Sequence, residues 1–142
     1  THQPLSYKES CFGLTEEHEK TYVLIRYLRT WNDAQTYCRQ HYKDLPIIES
    51  AEDNANVQAS WIGLIDDPKS WKGTMGNDVN SWIWSATGDT SRIGYRNWDL
   101  LQPDNLFGTE FCVMMESDGM WEDYPCRDTF HFVCYQGKKN LC

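Results

Sequence analysis

The chain has 142 residues, the size of one domain spanning 1–142, and carries 21 Asp and Glu against 13 Lys and Arg, a net charge of -8. That balance is electrostatically unfavourable for a phosphate backbone, so no nucleic acid partner is expected. No uncharged apolar run approaches the roughly 18 residues of a membrane-spanning helix, so no membrane insertion is expected either.

In chain order, Thr1 opens without an initiator Met or a basic-then-apolar leader, which reads as a processed product. Tyr22 to Leu28 is rich in β-branched and aromatic residues and predicts a strand. Thr30 with Asp33 three positions later is a capping signal for a helix starting at Trp31, and the spacing of Trp31, Ala34, Cys38 and Tyr42 turns Cys38 toward the core. Ser50 with Asp53 repeats the signal for a shorter helix to about Ser60, with Ala51 and Ala55 along one side.

From Trp61 onward, short apolar pieces alternate with Gly, Pro, Asn and Asp, predicting short strands and long loops. Trp61–Leu64 and Trp82–Trp84 are two such pieces, and Trp71 to Asn80 reads as an exposed loop or insertion. Phe111–Met115 and Met120–Glu122 flank Asp118-Gly119, a hairpin turn signal, and Thr129–Tyr135 is the last strand. The class is α+β. The loops between about Lys69 and Gly108 exceed simple connections, and long ordered loops in compact domains usually carry function.

Six Cys with no Cys-x-x-Cys pair favour disulfides over zinc, and therefore a secreted or extracellular setting. Gln102, Asp104, Glu110, Glu122 and Asp123 offer side-chain oxygens within a short stretch. Calcium takes six to eight such hard oxygens, whereas zinc would want Cys or His. From composition alone, a solvated acidic surface is the favoured account of them.

Trp61-Ile62-Gly63-Leu64, Gln102-Pro103-Asp104, Glu110-Phe111-Cys112 and Trp121-Glu122-Asp123, followed by Cys126 and Cys134, resemble in order and spacing the C-type lectin-like domain family across nearly the whole chain. The resemblance implies a C-type lectin-like fold of two helices, small antiparallel sheets and a long loop region stapled by disulfides. It pairs Cys38 with Cys134 and Cys112 with Cys126, and sets the first and last strands side by side. An intramolecular Cys11–Cys142 bond is then expected, with a bond to another chain or a neighbouring domain as the alternative.

By the same resemblance, Gln102, Asp104, Glu110, Glu122 and Asp123 would bind Ca2+, and two neighbouring sugar hydroxyls would complete its coordination shell. The Gln102–Pro103 peptide would be cis. Each sugar hydroxyl donates to a carboxylate and accepts from an amide, so the order amide then acid sets polarity around the pair. Gln then Asp resembles the galactose and N-acetylgalactosamine type, bound through the 3- and 4-hydroxyls.

Two positions depart from the family pattern. Glu122 stands where an Asn is usual, and an ionised Glu accepts but cannot donate, costing roughly 1 kcal/mol for one lost sugar hydrogen bond. Leu106 stands where galactose binders place a stacking Trp. Phe107 beside it is the candidate stacking ring, its alternative role being to anchor the loop. Asn105 makes a second, structural calcium doubtful.

Trp61, Trp98 and Trp121 match family core positions, while Trp71, Trp82 and Trp84 are unassigned. His2, His18, His41 and His131 form no catalytic pattern with Ser or Cys, so no enzyme activity is expected. Lys138 and Lys139 read as a solvated tail. The expected function is a secreted or ectodomain lectin for galactose-type glycans or glycoproteins, gaining avidity from an oligomer or tandem domains. The alternative is a domain resembling type II fish antifreeze proteins that binds ice or a protein surface without sugar affinity.

Overall fold

The computed structural model describes residues 18–57, 59–66, 82–88, 95–104 and 109–140. Their elements run β1 (His18–Arg29), α1 (Trp31–His41), α2 (Ala51–Asn56), β2 (Ser60–Asp66), β3 (Trp82–Trp84), β4 (Cys112–Met115), β5 (Trp121–Tyr124) and β6 (Phe130–Asn140). The α+β class holds. The Trp71–Asn80 loop, Cys11 and Cys142 lie outside the described residues.

Both caps form as the sequence predicts. Thr30 accepts from the Asp33 amide and Ser50 Oγ from the Asp53 amide, each relieving a donor that the first helical turn cannot satisfy. α1 buries Trp31, Ala34 and Cys38. α2 is shorter than predicted and ends at Asn56; the residue it buries is Asn54, while Ala51 and Ala55 are exposed. Six residues are too few to hold a helix by propensity, so tertiary contacts fix this one.

β1 and β6 pair antiparallel from His18↔Asn140 to Arg29↔Phe130, placing the first and last described strands side by side. Both run well beyond their predicted bounds. The strand order is β1-β6-β2-β4-β5, with β3 on β2. One pairing is parallel, β2 to β6 at Trp61↔Phe132, and it joins what the sequence suggests as small antiparallel sheets into a single mixed sheet. In Trp61-Ile62-Gly63-Leu64, Gly63 lets the strand press against the chain at Pro46, whose carbonyl would lie 2.7 Å from any Cβ there.

Two core clusters fill the space around the sheet. Trp31, Cys38, Trp61, Phe132 and Cys134 form the one under α1, and Ile62, Trp82, Trp84, Val113, Trp121 and Val133 belong to the other. Trp82 and Trp84, unassigned from sequence, are therefore core residues, like Trp61 and Trp121; Trp98 packs against the second cluster. Disulfides Cys38–Cys134 and Cys112–Cys126 span 96 and 14 positions. In the chain-entropy account, loops of that order stabilise by about 4.7 and 3 kcal/mol.

Candidate functional site

The β4–β5 hairpin is the platform of the site. Its strands pair from Cys112↔Tyr124 to Met115↔Trp121, and its turn closes through Glu116 and Gly119, the latter at φ 85°, as the Asp118-Gly119 signal requires. Segment 95–104 is then tied to β5. The Trp121 amide donates to Asn97 O at 2.9 Å and the Asp99 amide to Trp121 O at 2.9 Å, with Trp98 bridging Trp121. Trp98, Trp84 and Tyr95 meet the Trp121 ring edge-on, at centroid distances of 5.7, 5.9 and 5.9 Å. Asn54 of α2 completes the anchorage: its Oδ1 accepts from Trp121 Nε1 at 2.7 Å and its Nδ2 donates to Gly119 O at 2.9 Å. Nothing in the sequence singles out Asn54; a polar residue one turn into a short helix carries no such signal.

Along this platform the chain turns at Asp99–Gln102, closed by a 3.0 Å bond from the Gln102 amide to Asp99 O. It then passes through a cis Gln102–Pro103 peptide, as the resemblance implies. Asp104 follows, exposed, its amide donating to Asp123 Oδ1 at 3.2 Å. Carboxylate oxygens of Asp104, Glu110 and Asp123 lie within 4.8 Å of one another. Asp123 is 2% and Glu110 9% exposed, so two of these acids are held away from water. Gln102 Oε1, two residues from Asp104, is buried with no hydrogen-bond partner among the described residues.

This donor set fits a hard cation. Converging carboxylates repel one another, and burial sharpens the repulsion, which a bound divalent ion would reverse. The group is all oxygen, with neither thiolate nor imidazole in it, and the Gln102 carbonyl oxygen would offer a further donor of the same kind.

Of the five residues singled out by sequence, Glu122 stands apart. Side chains alternate along β5: Trp121 and Asp123 are buried, while Glu122 and Tyr124 are half-exposed. Glu122 is not in the converging group, and its charge bears instead on Tyr124. Burial, the 2.5 Å hydrogen bond to Glu116 and the nearby Glu122 carboxylate hold that phenol well above its ordinary pKa. Phe107, Leu106 and Asn105 lie outside the described residues.

Comparison with known proteins bears on the family and the fold. Residues 27–136 match the family model of the lectin C-type domain. Human asialoglycoprotein receptor 2 is 33% identical over 117 residues, covering 75% of this chain and 34% of that protein. Mouse C-type lectin domain family 10 member A is 32% identical over 132 residues, covering 84% and 39%. The chain thus spans well under half the length of these relatives. Among solved structures, the mouse scavenger receptor C-type lectin carbohydrate-recognition domain superposes with a TM-score of 0.66 at 25% identity, over 85% of this chain and 90% of that one. The chain therefore belongs to the C-type lectin domain family, a family of lectins rather than of enzymes.

Proposed function

We propose that residues 1–142 form one extracellular carbohydrate-recognition domain that binds terminal galactose or N-acetylgalactosamine through Ca2+. The observation that carries the proposal is the convergence of Asp104, Glu110 and Asp123 within 4.8 Å beside the Gln102-Pro103-Asp104 turn. Asp104, Glu110, Asp123 and Gln102 would hold the ion. Bound there, calcium supplies Lewis-acid coordination for two neighbouring sugar hydroxyls.

The chain's own groups would do the rest. Carboxylate oxygens of Asp104 and Glu110 accept hydroxyl protons, and the Gln102 amide donates to a hydroxyl oxygen. Amide before acid is the polarity that suits galactose-type hydroxyl pairs. Glu122 would join the ligand set only by turning from Tyr124. Phe107 is the proposed stacking ring for the sugar's apolar face. The asialoglycoprotein receptor relatives support glycoproteins with galactose-type termini as partners.

The test is calorimetry with Ca2+ followed by retention on galactose-agarose. Calcium-dependent retention, released by EDTA, is the expected result. Asp123→Asn should weaken calcium binding by at least about 100-fold, since even outer-shell changes at metal sites cost 10–100-fold. No calcium uptake at millimolar concentration, or retention that survives EDTA, would overturn the reading. Calcium uptake with thermal hysteresis and no sugar retention would point to ice instead.

A further inference from the structure

A cavity of about 330 Å³ opens where segment 43–49 crosses β1 and β6. The Lys43 amide bonds to Tyr135 O at 3.0 Å and the Tyr135 amide to Asp44 O at 2.8 Å, so this wall is fixed to the sheet. Leu45, Ile47 and Tyr135 give it apolar surface, and its charged lining is Lys20, Lys43 and Lys138 together with Asp44 and Glu49. Its volume suits a small organic ligand.

The charges do not cancel. Lys20 and Lys138 are direct cross-strand partners in the β1–β6 register, a like-charge pairing that destabilises a sheet. Lys20 is neutralised internally by Glu49 at 2.6 Å and Asp53 at 2.7 Å. Burial lowers its pKa, but the hydrogen bonds and charges of these two acids outweigh that and leave it above the ordinary lysine value. Asp44 is likewise taken, by Arg39 at 3.0 Å. Lys43, which lies across Gly137 with Cε 3.9 Å from where a Cβ would sit, has no ion pair among the described residues, and neither has Lys138. Three lysines thus face two acids around the cavity, and Lys43 and Lys138 are the ammonium groups there with no ion pair among the described residues. On the other side of Lys138, a smaller hollow lined by Glu19, Glu52 and Asp53 is acidic and would repel an anion toward Lys43.

We infer that this cavity binds a small organic sulfate or phosphate ester, its oxyanion bridging Lys43 and Lys138 and its apolar group against Leu45, Ile47 and Tyr135. A tetrahedral oxyanion offers enough acceptors to serve two separate ammonium groups, each by a charge-assisted hydrogen bond. The apolar wall is what an inorganic ion would leave unused.

The assay is titration of the whole chain, in EDTA, with 4-nitrophenyl sulfate, 4-nitrophenyl phosphate and inorganic sulfate. Both esters should bind, and at least one about tenfold tighter than inorganic sulfate, as burial of an aryl ring predicts. The two esters distinguish a singly from a doubly charged ligand. Lys43→Gln and Lys138→Gln should each weaken ester binding about tenfold, the loss of one charge-assisted hydrogen bond. Without ligand, Lys138→Gln should melt no lower than the parent, because it removes a cross-strand repulsion. Absence of binding at millimolar ester, binding unchanged in both variants, dependence on calcium, or a lower melting temperature for Lys138→Gln would each overturn the inference.

Discussion

The β1–β6 side of the molecule and the β4–β5 side with segment 95–104 are built on different principles. The first is a long backbone ladder backed by α1 and closed by Cys38–Cys134, whose sulfurs lie among fully buried apolar residues. The second has short strands, a 14-position disulfide loop and buried polar atoms: Asp123, Glu110 and the orphaned Gln102 Oε1. Apolar burial and ladder bonds stabilise the first side whatever it binds. If the proposed cation joins the acids of the second side, stability there would be coupled to ligation.

The disulfides probe this contrast with the largest effect. Cys38→Ala/Cys134→Ala should cost about 4–5 kcal/mol and unfold the domain cooperatively, seen as a large shift of the urea midpoint. Cys112→Ala/Cys126→Ala should cost about 3 kcal/mol by the same reckoning. Its distinguishing result is hydrogen exchange: amides of β1 and β6 stay protected while those of β4, β5 and 95–104 exchange faster. Equal loss of protection on both sides would break the contrast.

How much was legible follows the same division. Local signals gave the caps at Thr30 and Ser50, the inward face of Cys38 and the turn at Asp118-Gly119, because a helix start or a tight turn is decided within a few residues. The resemblance supplied both disulfide pairings and the cis peptide. Three things were not legible: the parallel Trp61↔Phe132 contact, the Lys20↔Lys138 pairing and the role of Asn54. Each depends on residues far apart in sequence whose register only the folded sheet sets. The candidate site is divided likewise. Gln102 and Asp104 could be read as neighbours and the resemblance joined Glu110 and Asp123 to them, but that Glu122 stands outside the converging group needed the strand alternation of β5.

Asn54 is where the two sides meet, and it sharpens the comparison at intermediate cost. Asn54→Ala leaves the Trp121 indole N–H buried without its acceptor and removes one of two amides that hold Gly119 O, the other being Asn97 Nδ2 at 2.6 Å. An unsatisfied buried donor costs about 1–3 kcal/mol. That loss should appear in denaturant melts, together with weaker calcium uptake, since β5 carries Asp123. Unchanged calcium affinity at the reduced stability would separate α2 from the site.

The smallest expected effect concerns the turn before Gln102. Leu101 sits at φ 64° and is 83% exposed, as is Leu100, so the turn gains little from burying either side chain. The Asp99 carboxylate, accepting from the Leu100 amide at 2.7 Å, and the Gln102 amide bond to Asp99 O hold the turn in shape nonetheless. A left-handed conformation costs a residue with a Cβ roughly 1–2 kcal/mol, and glycine avoids that cost but loses about 0.5–1 kcal/mol of chain entropy on folding. Leu101→Gly should therefore stabilise by about 0.5–1 kcal/mol, read as a higher urea midpoint at unchanged m-value. Calcium affinity should stay the same, because the proposed ligands begin one residue later and the turn keeps its hydrogen bonds. Destabilisation instead would mean that Leu101 makes contacts worth more than its backbone strain, and the 95–104 side would then be held by packing as much as by polar bonds.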